Sequence, residues 1–342
     1  MHVLGAGALG SLWGAHASQC TMLLRPGSAE AQSRRLLVRV TRGWTPGHTH
    51  HEVSLPAEAA DENGVIDHLL VATKAFHVQE AIDSVRHRLD AQATVVLLCN
   101  GALSVAEEID LPQNAVLLAA TTTHGCWLQP SPHRTTRLVY HAGNGETWVG
   151  PLPRAGVRCM VASPSHRHSH SSPNLTEDGW ESKRCAQFAA HGLGAHIEAS
   201  SATLRRLWLK LAANAVLNPL TALWDVPNGE VLQRAQGRAL ASEICREIAA
   251  LASQLFTQHE NVQTPTALEL NNFVEGCAAA NAANWSSMHQ DVKFKRRTEI
   301  DHLNGWVVKR AMALGINCEV NADLVAHISQ MSQMPSRTSH ED

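Results

Sequence analysis

The alternation of apolar and polar positions changes its period near residue 200. Before that point, short apolar runs bounded by glycine or polar residues predict strands at His2–Leu4, Thr21–Leu24, His68–Thr73, Thr94–Cys99 and Val116–Ala120. Helical patterns follow the first strand and run from Lys74 to about Leu89. Two further runs, Arg137–His141 and Glu146–Val149, flank Ala-Gly-Asn-Gly and predict a hairpin at an antiparallel sheet edge. Residues Ala29–Ala59 show little pattern and predict an irregular insertion. Arg154–Asp178 is rich in Ser, Pro and His and predicts a mobile loop, after which Trp180–His196 predicts a helix and a strand.

Beyond Ser200-Ser201 the pattern is helical, with helices expected over Ala202–Leu223, Arg238–Gln258 and from Pro265 or Thr266 to Ala282. Thr298-Glu-Ile-Asp301 fits a capping-box variant opening a helix to Leu314, with Gly315 as its stop. The expected architecture is α/β: a dinucleotide-binding domain of the Rossmann type over residues 1–200, a helical domain over 201–331 and a flexible tail over 332–342.

One apolar stretch, LWLKLAANAVLNPLTALWDVPNGE from Leu207 to Glu230, carries Lys210, Asn214 and Asn218 at steps of four. Such steps advance only about 40° each, so the three share one stripe of a helix. The stripe reads either as a core helix with a snorkelling lysine and satisfied amides, or as a site holding something anionic or polar.

The first strand runs into Gly5-Ala6-Gly7-Ala8-Leu9-Gly10 and then a helix. This is G-x-G-x-x-G in the context that gives it meaning. The first glycine permits the tight turn, the second lets backbone approach a pyrophosphate, and the third brings helix against strand. The next strand ends in Arg25, with Ser28 close behind, where an NAD site places an acid; arginine there favours a 2′-phosphate and hence NADP(H), or else is a surface turn residue. Only 14 residues separate Gly10 from Arg25, so the intervening helix must be short. Lys74 and Asn100 follow later strand ends, where they either reach cofactor or cap helices.

Composition narrows the class further. The chain has 342 residues and a formal charge of −3, which points to neither a nucleic-acid surface nor a polybasic anchor. No apolar run approaches the roughly 18 residues of a membrane span, and the opening segment is a strand rather than a signal peptide, so a cytoplasmic location is expected. The eight cysteines form no C-x-x-C pair and are expected as reduced, mostly buried thiols. Histidine is abundant at 21 copies, with clusters at His48, His50 and His51 and at His166, His168 and His170. These read as solvated loops rather than a metal site, because no Asp, Glu or Cys ligands converge nearby.

Together these motifs resemble ketopantoate reductase, the 2-dehydropantoate 2-reductase of pantothenate and coenzyme A synthesis. The resemblance rests on GAGALG, LLR ending at Arg25, TKAF around Lys74, CNG around Asn100, TTTHG at Thr121–Gly125, the Lys210 stretch, NWSSMHQD at Asn284–Asp291 and RRTEIDHLNG at Arg296–Gly305. It implies a Rossmann domain and a helical domain, in a 6-phosphogluconate dehydrogenase-like arrangement, with the active site between them. NADPH would deliver hydride to a 2-oxo acid. Lys210 matches the family's proton donor, and Glu299 a glutamate near the nicotinamide ribose and that lysine. Asn214, Asn218 and Asn228 match substrate-binding asparagines, and Asn284, Ser286 and Ser287 match contacts to substrate carboxylate or hydroxyl. Arg25 and Lys74 match adenosine-phosphate contacts, Asn100 a residue shared by cofactor and substrate, and Cys126 a backbone cofactor contact. Glu299 also suits the first turn of a helix for its charge alone. The expected partner is a small 2-oxo acid, with no nucleic acid or membrane, and the chain is expected as monomer or homodimer. The other readings are a paralogue reducing another branched 2-oxo acid, and a catalytically silent NADP-binding protein.

Overall fold

The computed structural model describes residues 1–43, 49–131, 133, 135–152, 180–190, 193–256 and 263–333. The Arg154–Asp178 loop, His48, the His166, His168 and His170 cluster and nearly all of the 332–342 tail lie outside the described residues. The chain divides into two units, Met1–Leu204 and Arg205–Asp342.

In the first unit the strands are β1 (His2–Leu4), β2 (Thr21–Leu24), β3 (Arg35–Arg42), β4 (His50–Ala59), β5 (Ile66–Val71), β6 (Leu89–Leu97), β7 (Val116–Thr122), β8 (Gly125–Gln129), β9 (Thr136–Gly143), β10 (Thr147–Pro151) and β11 (Ala195–Ile197). The helices are α1 (Ala8–His16), α2 (Ala29–Gln32), α3 (Val78–Val85), α4 (Ala102–Glu108) and α5 (Trp180–Ala189). The sheet order is β11-β10-β7-β6-β5-β1-β2-β4-β3-β9-β8. Strands β2, β1, β5, β6 and β7 are mutually parallel neighbours, the doubly wound core of a Rossmann domain. Helix α1 is nine residues long, as the short spacing to Arg25 requires.

The first unit departs from two expectations. Residues Ala29–Ala59 are regular: they hold α2, β3 and β4. Leu36, Val38 and Val40 alternate inward along β3, a period of two interrupted only by the apolar but outward Leu37. The Arg137–Val149 hairpin does not form. β9 pairs parallel with β3 and antiparallel with β8, whereas β10 pairs antiparallel with β7 and parallel with β11. The Asn-Gly signal is local, and long-range pairing overrides it.

These pairings dictate the shape of the sheet. Two residues, Thr123 and His124, join β7 to β8, which stand third and eleventh in the order. Three residues, Asn144, Gly145 and Glu146, join β9 to β10, tenth and second. Eight strand spacings would span roughly 38 Å in a flat sheet, but such links reach only about 11–15 Å. The sheet therefore folds back on itself, and β4 carries the bend. Its first seven residues pair with β3 and its last three with β2. The folded sheet encloses α1, which packs against β1, β3, β4, β8 and β9. Six successive α1 residues from Gly10 to Ala15 are buried. Trp13 stacks on Phe188 of α5 with ring centres 4.7 Å apart.

The two crossings are stapled to each other. Thr123 N donates to the Glu146 carbonyl at 2.9 Å, and Glu146 N donates back to Thr123 Oγ1 at 2.9 Å. Gly145 N donates to His124 Nδ1 at 3.0 Å, and the same nitrogen lies 2.9 Å from His141 Nε2. Burial, then the nearby His124, His16 and Arg42, hold the His141 pKa down to about 4.

The second unit is helical: α6 (Ser200–Trp224, whose first turn belongs to the first unit), α7 (Asn228–Val231), α8 (Ala235–Phe256), α9 (Ala267–Ala280), α10 (Ser287–Lys293), α11 (Asn304–Ala313) and α12 (Glu319–Gln333). Thr266 and Glu269 form a reciprocal capping box at the start of α9. The capping-box variant expected at Thr298 does not open a helix. A single 3₁₀ turn, Ile300–His302, comes first, and Leu303 at φ −109°, ψ −99° breaks it from α11. Gly315, at φ +68°, follows the end of α11, where Ile316 N donates to the Ala311 carbonyl at 2.9 Å. Among the described residues the seven cysteines form no disulfide, and no helix is long and apolar enough to cross a membrane.

The histidine staple sets a pH dependence. An unfolded histidine titrates near about 6.5, whereas folded His141 titrates at about 4. Between those values the folded state binds fewer protons, so this contribution is complete above pH 6.5 and is lost as pH falls toward about 4. Denaturant midpoints should fall across that window, and His141→Gln should show a shallower fall. An identical slope in the variant would assign the acid sensitivity to other groups.

Candidate functional site

In the first unit four of the expected cofactor positions fall along one sheet edge. The parallel register sets Leu4 level with Leu23 and Val71, and Val71 level with Leu97. Gly5, Arg25, Lys74 and Asn100 therefore follow the carboxyl ends of four adjacent strands, β1, β2, β5 and β6. The edge includes the switch point between β1 and β5, where open α/β sheets bind ligands. Gly5 has φ +112°, and a Cβ there would come within 2.8 Å of the Ala72 backbone. A Cβ on Gly10 would meet the Gly5 carbonyl oxygen at 2.0 Å, so α1 sits as close to the turn as a glycine allows. Gly7 is different: nothing lies within 4 Å of its Cβ position. It is the N-cap of α1 and offers no capping side chain. An open backbone at a helix N-terminus is the donor set that a pyrophosphate takes. Ala8 and Leu9 continue the turn into α1.

Arg25 is exposed at the end of β2. Ser28 caps α2 by accepting from Ala31 N at 3.3 Å. Lys74 is half-buried and is the N-cap of a 3₁₀ turn, Ala75–His77, with no capping bond from its side chain. Asn100 precedes Gly101, whose φ of +64° starts α4. Cys126 lies on β8 opposite His141 in the ladder, and burial pushes its thiol up to about 12.

In the second unit Lys210, Asn214 and Asn218 lie on α6. Lys210 and Asn214 are half-buried and Asn218 is 7% exposed. The Lys210 ammonium is near enough to Cys277 of α9 to favour its thiolate, although burial dominates and raises that thiol. The Asn218 carbonyl accepts from Thr221 Oγ1 at 3.0 Å and from Ser286 Oγ at 3.5 Å. Ser286 and Thr221 hydroxyls lie 2.7 Å apart, and Ser286 Oγ accepts from His289 N at 3.0 Å as the N-cap of α10. Ser286 thus ties α10 to α6, while Ser287 and Asn284 are exposed beside it. Asn228 is buried at the start of α7. Its N–H donates to the Asn284 carbonyl at 2.9 Å, and its Nδ2 to the Asn281 carbonyl at 3.3 Å. The fold brings Asn218, Ser286, Asn228 and Asn284 into one framework. Glu299 is 4% exposed just before the 3₁₀ turn.

Sequence reasoning missed the group that holds α6 in place. Pro219 lies inside the helix and has no N–H for the carbonyl four residues earlier. That carbonyl belongs to Ala215, and Asn304 Nδ2 donates to it at 2.9 Å. The same amide donates to Asn321 Oδ1 at 2.9 Å, and Asn321 Nδ2 donates to Glu247 Oε2 at 2.6 Å. Glu247 of α8 also accepts from the backbone of Val320 and Asn321, where its charge suits the N-terminus of α12. One buried polar chain therefore runs through four helices to the backbone beside Asn214. A proline four residues after Ala215, and the Leu-Asn-Gly closing the 296–305 motif, were the available signals.

The chain matches two family profiles, "Ketopantoate reductase PanE/ApbA" over residues 1–154 and "Ketopantoate reductase PanE/ApbA C terminal" over residues 202–332. It is 32% identical over 329 residues to a 2-dehydropantoate 2-reductase of Escherichia coli O157:H7, covering 94% of this chain and 91% of that one. Among solved structures it resembles a PanE/ApbA family ketopantoate reductase from Ralstonia eutropha JMP134, with 24% identity, a TM-score of 0.72 and 97% of each chain covered. It also shares its fold with a D-mandelate dehydrogenase solved with NADH and anilino(oxo)acetate, at 19% identity, a TM-score of 0.73 and 97% of each chain.

Asn304→Leu keeps the bulk and removes both donations. The Ala215 carbonyl and the Asn321 oxygen then lose that buried donor, at a cost of about 2–4 kcal/mol. Urea unfolding of the second unit should show that loss as a lower midpoint at unchanged slope. A midpoint equal to the parent's would mean that Pro219 leaves nothing for Asn304 to satisfy.

Proposed function

Because the chain belongs to the ketopantoate reductase family, we propose that it reduces 2-dehydropantoate to pantoate with NADPH, with Lys210 as proton donor. It is an oxidoreductase of the 2-dehydropantoate 2-reductase kind. The observation that carries the finer reading is the stripe on α6: a half-buried ammonium one helical turn from Asn214 and two from the buried Asn218. An ammonium removed from bulk water acts strongly on a developing alkoxide, because little dielectric screening intervenes.

When bound, the reduced dinucleotide supplies hydride to the 2-oxo carbon. Lys210 donates a hydrogen bond to the ketone oxygen and passes its proton to the alkoxide as it forms. Asn214, Asn218 and Asn228 orient the substrate, with Asn284, Ser286 and Ser287 meeting its carboxylate or hydroxyl. Ser286 also caps α10, and that bond holds the turn that carries Ser287 and Asn284. Glu299 would stand near the nicotinamide ribose and the lysine, where its carboxylate would accept from the ribose. The glycine turn receives the pyrophosphate, and Cys126 contributes backbone, since its buried thiol stays protonated. Arg25 and Lys74 take the adenosine phosphates, and Asn100 serves cofactor and substrate. Arg25 has the exposure and the charge to meet a 2′-phosphate, which is the basis for NADPH over NADH.

Turnover followed by NADPH absorbance, with 2-dehydropantoate and with 2-oxoisovalerate, tests the substrate. Higher kcat/KM with 2-oxoisovalerate would replace this reading with that of a reductase for another branched 2-oxo acid. Lys210→Ala should lower kcat by about 10²–10⁴-fold and leave NADPH affinity unchanged; full activity in that variant would sink the mechanism. Arg25→Ala should weaken NADPH about tenfold more than NADH, and equal losses would remove Arg25 from the 2′-phosphate.

A further inference from the structure

Arg137 stands on β9, outside the βαβ unit that forms the glycine turn, yet it reaches that turn. Its Nε donates to the carbonyl of Ala6 at 3.3 Å. Its Nη2 lies 3.1 Å from Oε1 of Glu30, in the first turn of α2. Glu30 is only 7% exposed, while the Arg137 side chain is 27% exposed. Glu30 is also the first carboxylate after β2. An acid near that position is what an NAD site uses to hold ribose. Here it faces a guanidinium instead.

The contact with Ala6 has a directional consequence. In a planar trans peptide the C=O and the next N–H point in opposite directions. Fixing the Ala6 carbonyl on Arg137 therefore fixes the Gly7 N–H on the opposite side. Gly7 is the N-cap of α1, and the space where its Cβ would stand is open. That N–H is among the donors that a pyrophosphate meets at such a turn. Left unheld, a peptide that leads into a glycine has wide freedom to rotate, and donors aimed at random bind phosphate poorly.

We propose that Arg137 is the positioning residue of the diphosphate-binding turn, locking the Ala6–Gly7 peptide so that its N–H faces the dinucleotide and neutralising Glu30 beside it. This rests on the dinucleotide-binding reading above. Two functions meet in one guanidinium. The Nε bond sets the geometry of a phosphate donor. The Nη2 bond keeps a buried negative charge from repelling a ligand that carries several. Lysine cannot reproduce both, because it lacks the planar fork.

The experiment is an equilibrium fluorescence titration of NADPH and of NADH on the full chain, with melting temperature and kcat at saturating NADPH measured alongside. Arg137→Met should raise the NADPH dissociation constant by about tenfold or more, with NADH weakened in the same direction and kcat retained. Arg137→Lys should fall between parent and Arg137→Met. Adding Glu30→Gln to Arg137→Met should recover part of the affinity by removing the unneutralised carboxylate, while the unheld Ala6 carbonyl keeps recovery incomplete. Unchanged NADPH affinity in Arg137→Met overturns the proposal. So does a lower melting temperature with no change in affinity, which marks a merely structural residue. If Arg137→Met does not fold, Arg137→Lys decides: affinity equal to the parent's overturns the proposal. A parent chain that binds neither dinucleotide overturns the functional reading itself, a result separate from any of these.

Discussion

Two links of two and three residues, each joining strands eight places apart in the sheet, are the constraint on which the first unit depends. They are too short for a flat sheet, so β3, β9 and β8 must turn over onto α1. A helix enclosed in this way has no solvent face, which is why Gly10 to Ala15 are all buried. Enclosure also explains the packing of glycine. At Gly14 a Cβ would approach Leu55 and Met22 at 2.9–3.0 Å. The turn that precedes α1 inherits its rigidity from this enclosure, and β9 brings Arg137 to it.

The second unit answers a different constraint. A helix that places a lysine and asparagines among Leu, Ala, Val and Trp must be held against neighbours that tolerate polar groups. Pro219 adds a carbonyl that the helix itself cannot satisfy. Asn304, Asn321 and Glu247 close that deficit with charge-assisted and amide bonds inside the core. Just past the C-terminal end of α6, Asp225 takes φ +51°, and its carboxylate lies 2.6 Å from Nε2 of His289, whose ring packs on Trp285. The middle of α6 is thereby tied to α11 and its C-terminal side to α10.

Much of this was legible in the sequence. The glycine turn, the parallel strands with polar carboxyl ends and the extent of α6 follow from local period and turn chemistry, which act over a few residues. Partner choice between strands does not. The Asn-Gly before β10 looks like a hairpin because the flanking runs suit one, and only the competing pairings with β3, β7, β8 and β11 decide otherwise. Site residues divide the same way. Lys210, Asn214 and Asn218 were visible as a stripe. Ser286 carries a capping role that the motif does not reveal. Arg137 and Asn304 act through backbone carbonyls 131 and 89 residues away, and no local pattern marks such bonds.

Trp13 meets Phe188, and Ala6 meets Arg137, so the opening residues of the chain are completed by residues far downstream. A nascent chain emerging from its N-terminus would present the glycine turn long before β9 or α5 exist to hold it. Contacts of such sequence separation close slowly and expose unpaired strand edges meanwhile. The capacity to hold a dinucleotide therefore comes only once those later residues are made, although the glycines of the turn precede them in the chain.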